Sequence, residues 1–232
     1  MALTISDVMT RARERYNSVG DDFFSDSFMR DAIYDAQKIL AREGLVIQRT
    51  YQTPVLAGIR EYAFPENTIS IKEIRHNFDK LKVMPLVKDV KTDTTDTYGT
   101  PRAYMVFEKR IILMPNPVIP DLMVKGDTTT DLLQIRVFCY PQDLPTNVSP
   151  IEVPEDYTED LLNYVLHLMA EKDQNTTMSD RYLQKWEKRV LEVKSIAKRM
   201  FSADMNRRVK DFYFGSDTPI TSDEVFYNGW TV

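Results

Sequence analysis

The chain has 232 residues, 43% of them hydrophobic and 11% aromatic, enough for one large domain or two small ones around a substantial core. A net charge of -5 leaves no basic face to neutralise phosphates, which argues against nucleic-acid wrapping and sequence-specific DNA binding, and 7 glycines beside that aromatic content argue against long disorder. The single cysteine, Cys139, excludes an internal disulfide, and charges within residues 1–20, where a signal peptide would be apolar, predict a chain made in a reducing cytosol.

The first helix is predicted to begin at Thr4 or Ser6, whose hydroxyls accept from free backbone N–H groups, and to run to about Tyr16. After a loop through Gly20 and Asp22, Ser25 or Asp26 caps a second helix with Met29, Ala32, Ile33, Ala36, Ile39 and Leu40 along one face. Gly44 is expected to close it as a C-terminal cap.

From Leu45 the period shifts towards strands. Residues 46–55 and 59–64 flank Ala57-Gly58, which reads as a hairpin turn, and Pro65 closes the second run. Ile69, Ile71 and Ile74 mark the next strand, with residues 81–86 returning as its partner after a polar turn at 77–80, and residues 88–97 read as a surface loop. Residues 103–107 and 111–114, joined by Glu108-Lys109, form a second hairpin that Pro115, Pro117 and Pro120 stop. Residues 126–131 are loop-like, and residues 132–140 supply a last apolar strand ending at Pro141. The middle of the chain is thus expected to be a small antiparallel β-domain, a sandwich or open barrel.

Pro150 and Pro154 frame the return to helix, where Glu155, Asp156, Glu159 and Asp160 suit the positive first turn of a helix running to about Asp173. Leu161, Val165, Leu168 and Met169 give that helix its core face; asparagine and histidine at 163 and 167 keep it from reading as a membrane span. A fourth helix, capped by Ser179, carries Tyr182, Trp186, Val190, Val193 and Ala197 at spacings of three and four. Helices from opposite ends of the chain bury their stripes most economically against each other, Met29 to Leu40 against Leu161 to Ala197. The expected class is α+β: a helical bundle from residues 1–47 and 150–201, an inserted β-domain at 48–149, and an extended arm at 202–232.

Chemistry-bearing residues do not converge. Cys139, His76 and His167 are too few for a zinc site, and each histidine reads as structural, one in a strand-like run and one on a helix. The carboxylates at 155–156 and 159–160 are explained by a helix start. Glu192-Val193-Lys194 imitates a nuclease element but falls in a helical pattern where that element needs a strand, and the glycines are too scattered for a phosphate loop. No catalytic residue, metal or cofactor is expected, although a tail-associated hydrolase stands as the enzyme alternative.

The end of the chain is different. After Met200 an irregular segment carries Arg207, Arg208, Lys210, Phe212, Tyr213 and Phe214, then acidic Asp217, Asp223 and Glu224, then Phe226, Tyr227 and Trp230. Aromatics beside basic residues also suit single-stranded nucleic acid, but no basic groove accompanies them. Large apolar side chains on a segment with few partners of its own favour docking onto another protein.

Several segments stand out together: the helix end Ala36-Gln37-Lys38-Ile39-Leu40-Ala41-Arg42-Glu43-Gly44, the strand Ile59-Arg60-Glu61-Tyr62-Ala63-Phe64-Pro65, and Tyr98-Gly99-Thr100-Pro101-Arg102-Ala103-Tyr104. Residues 111–115, Tyr140-Pro141, and residues 151–170 ahead of a helix with Trp186 complete the set. In this order, which spans nearly the whole chain, they resemble the head-to-tail adaptors of tailed, above all short-tailed, bacteriophages. The resemblance implies a structural virion protein, assembled in the host cytoplasm. It also implies a ring of about twelve identical copies beneath the portal protein, extending the DNA channel and presenting a platform to tail or nozzle proteins. The expected anchors to the portal or a neighbouring subunit are Phe212, Tyr213, Phe214, Phe226, Tyr227 and Trp230, with Arg207 and Arg208. A tail-associated binding module, or a tail ring protein without portal contact, is the alternative; an aromatic platform on the β-region would favour the former.

Overall fold

A computed structural model describes residues 3–20, 22–56, 58–77, 79–83, 98–117, 132–142 and 146–212, with the backbone alone described at 98, 116 and 201–212. Helix α1, Ile5–Tyr16, opens with a reciprocal cap: the Asp7 N–H donates to the Thr4 hydroxyl at 3.3 Å, and the Thr4 N–H donates to the Asp7 carboxylate at 2.9 Å. Helix α2, Asp26–Gly44, is capped by Ser25, whose hydroxyl accepts from the Phe28 N–H. Its end differs from expectation. Gly44 is still helical and Leu45 takes the left-handed conformation, φ 53. Glycine is needed at 44 for another reason: a Cβ there would lie 2.0 Å from Cγ1 of Val193 on the last helix.

The strands form two four-stranded sheets. In the first, β1 (Gln48–Pro54), β10 (Leu132–Cys139), β3 (Thr68–His76) and β4 (Asp79–Lys80) lie in the order β1-β10-β3-β4, antiparallel throughout. In the second, β2 (Glu61–Ala63), β8 (Arg110–Met114), β7 (Ala103–Phe107) and β5 (Lys82–Val83) follow the order β2-β8-β7-β5. A two-residue parallel ladder joins β6 (Tyr98–Gly99) to β9 (Asn116–Pro117).

The β7–β8 hairpin falls where expected, and Glu108 and Lys109 both take positive φ, 45 and 60, the paired left-handed turn that matches strand twist. Three expectations need correction. Ala57-Gly58 does not close a hairpin, because β1 and β2 diverge into different sheets; Gly58, at φ 74, donates its N–H to the Pro117 carbonyl at 2.9 Å and ties the connection to β9. The strand returning after β3 is only Asp79–Lys80: Leu81 still donates to the Ile74 carbonyl, but Lys82–Val83 then crosses to pair with β7, and in parallel. The β-region is therefore mixed and not purely antiparallel. The segments 84–97, 118–131 and 143–145, which include the two expected loops, lie outside the described residues.

A 3-10 turn at Glu155–Tyr157 leads into α3, Thr158–Lys172, and α4 spans Thr176–Phe212. Ser179 does not cap α4. Asn175 accepts from the Met178 N–H at 3.2 Å in that role, while the Ser179 hydroxyl bonds Nδ1 of His167 at 2.8 Å.

Two apolar clusters hold these elements together. One joins Ile5, Val8 and Ala12 of α1 with Met29 and Ile33 of α2 and Leu162, Leu166 and Met169 of α3. The other joins Ala36 and Leu40 of α2, Leu161 of α3 and Trp186 of α4 with Ile74, Leu133, Ile135 and Val137 of the first sheet and Tyr104, Ile111 and Leu113 of the second. Adjacent Leu161 and Leu162 feed both clusters, so helices from the two chain ends and both sheets bury their apolar faces together.

Candidate assembly interface

Helix α4 is anchored by one face and then outruns it. Trp186, Val193 and Ala197, seven and four residues apart, are buried, and the Trp186 ring meets Tyr164 of α3 at 5.0 Å between centroids. Polar clamps flank that seam. Arg189 donates to Asp160 of α3 at 3.0 Å and to Glu192 at 3.2 Å, with its guanidinium 5.5 Å from the Tyr157 ring centre. Lys194 meets Glu43 of α2 at 2.8 Å, and Arg15 of α1 makes a two-pronged pair with Glu159 of α3 at 2.6 and 2.7 Å.

These contacts give the acidic residues near the start of α3 separate environments. Burial pushes the Asp160 carboxyl above its ordinary value against the pull of Arg189, whereas the hydrogen bond from Arg15 lowers Glu159 and that from Lys194 lowers Glu43. They are ties between helices as well as dipole partners.

Beyond Ala197 the seam stops. Lys198, Arg199 and Met200 are exposed, Met200 by 66%, and Leu191 and Ile196 add apolar surface on the outer faces. The helix, expected to give way to an irregular segment after Met200, nonetheless continues to Phe212. No glycine or proline occurs between 176 and 212, so nothing local breaks it, and Ser202, Asp204 and Asn206 are too weak to do so. At 1.5 Å per residue the part after Ala197 is about 22 Å long. Along it Phe201, Met205, Val209 and Phe212 recur at spacings of four, four and three, placing them on one side of the helix.

Of the expected anchors, Arg207, Arg208 and Phe212 therefore sit on a helix and not in an irregular tail. Tyr213, Phe214, Phe226, Tyr227 and Trp230 lie outside the described residues.

A concave feature away from α4 has no counterpart among the expectations from sequence. A groove of about 550 Å³ runs between β1 and β2, lined by Tyr51, Thr53, Tyr62, Pro65, Ile135 and Gln142 among others. Its signal was hidden because Tyr51 and Tyr62 belong to strands that seemed to pair with each other.

The remaining chemical candidates are accounted for structurally. Cys139 is buried and its thiol is pushed up by burial; His76 is buried in β3, and His167 is held by Ser179. Val193 is a core residue and Glu192 bonds Arg189, which places the nuclease-like triplet in a helix seam. Among the described residues no group of three or more His, Cys, Asp or Glu side chains is placed to hold a metal, and no helix is long and apolar enough to cross a membrane.

The family model for the SU10 adaptor protein matches residues 3–209, taking in α1 to α3, both sheets and α4 almost to its end, while Phe212 and everything after it fall beyond the match. No individual curated protein matches the chain significantly. Since the match runs through the bundle, both sheets and most of α4, the chain belongs to the SU10 adaptor protein family and is a bacteriophage adaptor protein.

Proposed function

We propose that the chain forms a closed ring of about twelve copies beneath the portal, extends the DNA channel, and offers its other face to tail or nozzle proteins. The observation that carries this reading is α4: its buried seam ends at Ala197, yet the helix continues to Phe212 with an apolar stripe. A helix of 37 residues is about 55 Å long, well beyond the width of a small domain, so its far end is suited to reach another protein. Head-to-tail contacts between identical copies need two different complementary surfaces per copy, and a long arm supplies one of them. The net charge of -5 suits a lumen that guides duplex DNA without capturing its phosphates.

The role is structural in this reading, with no cofactor. The binding-module alternative draws little support from the sheets, where Phe107 is the sole exposed aromatic among the described residues. Deleting residues 205–232 tests the proposal. The shortened chain is expected to stay folded and monomeric and to be absent from rings by native mass spectrometry; incorporation equal to that of the full chain would overturn it.

A further inference from the structure

The groove between the sheets lies between two strand edges. β1 and β2 each end their sheet's order, so among the described residues each has one side unpaired with another strand. Exposed edges are templates for pairing, and folds usually blunt them with charge, a bulge or a cover. β1 carries little of that protection. Its seven-residue ladder with β10 has no register shift, its exposed side chains Gln48, Thr50, Gln52 and Pro54 are uncharged, and Arg49 is engaged by Glu152. Pro54 itself fits an edge, since proline has no N–H to give a ladder. On the other side of β1, Tyr51 and Thr53 are half-buried and face a groove with Ile135, Tyr62 and Pro65 in its lining and Glu66, Asn67 and Gln142 as polar partners.

The chain has a segment suited to that edge. After α4 ends at Phe212, 20 residues remain, long enough when extended to span up to about 70 Å. Residues 224–232, Glu-Val-Phe-Tyr-Asn-Gly-Trp-Thr-Val, are rich in the aromatic and β-branched types that favour strands. In an extended segment Phe226 and Trp230 fall on the same side, with Tyr227 on the other. The helix that carries this segment runs past its own buried seam, which favours delivery to a different subunit.

We propose that residues 224–232 of a second copy add as a strand to the open edge of β1, with Phe226 and Trp230 entering the groove beside Tyr51, Tyr62 and Ile135. The inference rests on the ring reading above and names its contact. Main-chain hydrogen bonds supply affinity and the alternating aromatics supply register. In a closed ring every β1 edge is filled by the neighbour, so no strand template is left open.

Hydrogen–deuterium exchange on the full chain, free and in assembled rings, tests this with wild type and the double variant Phe226→Ala/Trp230→Ala. In wild-type rings the amides of 48–54 and 224–232 are expected to slow together by about tenfold or more, with the variant losing both protections while α2 exchanges as before. Equal exchange of 48–54 in the free chain and in the ring overturns the proposal. So does protection that is already complete in the dilute free chain, which means the segment folds back on its own subunit, or protection that survives in the variant, which means another protein supplies the strand. Should the variant fail to assemble, copies bearing only Gln52→Cys or Thr50→Cys, on the face of β1 away from the groove, are co-assembled with copies bearing only Tyr227→Cys, on the matching face of the added strand. An interchain disulfide is expected, and its absence from both pairings overturns the docking. A ring that forms with β1 unprotected rejects this contact alone; failure of the wild-type chain to form any ring rejects the reading beneath it.

Discussion

Gly44 and Val193 set how closely α2 and α4 approach. Gly44 has ordinary helical backbone, so alanine there carries no conformational penalty of its own; the cost is the methyl group that would meet Val193 Cγ1 at 2.0 Å. Gly44→Ala is expected to lower stability by about 1–3 kcal/mol in denaturant titrations, and Val193→Ala in the same chain to recover part of that loss, a coupling that independent sites would not show. The ion pairs beside this seam give a second test. Glu43, lowered by Lys194, contributes stability that is present above the pKa of an unfolded glutamate and is lost as pH falls through its folded value. Asp160, raised by burial, has the opposite sign: its contribution is complete below the unfolded pKa and is lost as pH rises through the folded one. Unfolding midpoints between about pH 3 and pH 7 should therefore show a shallower acid loss in Glu43→Gln and a steeper one in Asp160→Asn than in wild type.

At the scale of elements, local signals decided what the sequence revealed. The Thr4 cap, the apolar stripe from Met29 to Leu40, the Glu108-Lys109 turn and the run at 132–139 each carry their own chemistry, and each is where it was expected. The docking of α2 on α3 and α4 follows because none of these stripes is buried alone. Pairing between distant strands has no such local mark. β1 and β2 are adjacent in sequence and joined through a glycine, yet β1 pairs with β10 some eighty residues on, and the parallel step of Lys82–Val83 onto β7 is too short for periodicity to show. The extension of α4 to Phe212 was masked by polar residues that weaken a helix without ending it. For the same reason the arm is predicted to be dispensable for the bundle. No described side chain after Ala197 is buried, so removing 205–232 should leave the urea midpoint of the remaining chain unchanged. The seam through Trp186 and Val193, not the arm, holds α4 in place.

For the whole molecule, four helices and two sheets share their buried apolar residues, and α4 runs on past the last of its own at Ala197. Family membership fixes the setting as a phage adaptor, and in the proposed ring residues 224–232 of one copy would meet the open β1 edge of the next. Long arms order at a cost in entropy, which aromatic anchors offset because they add contact area with few torsions to freeze. Native mass spectrometry of the full chain, alone and mixed with its cognate portal, tests the central claim most directly. The account predicts that the chain joins the portal in a fixed multiple set by the ring; a chain whose mass is indifferent to the portal at every ratio would contradict it.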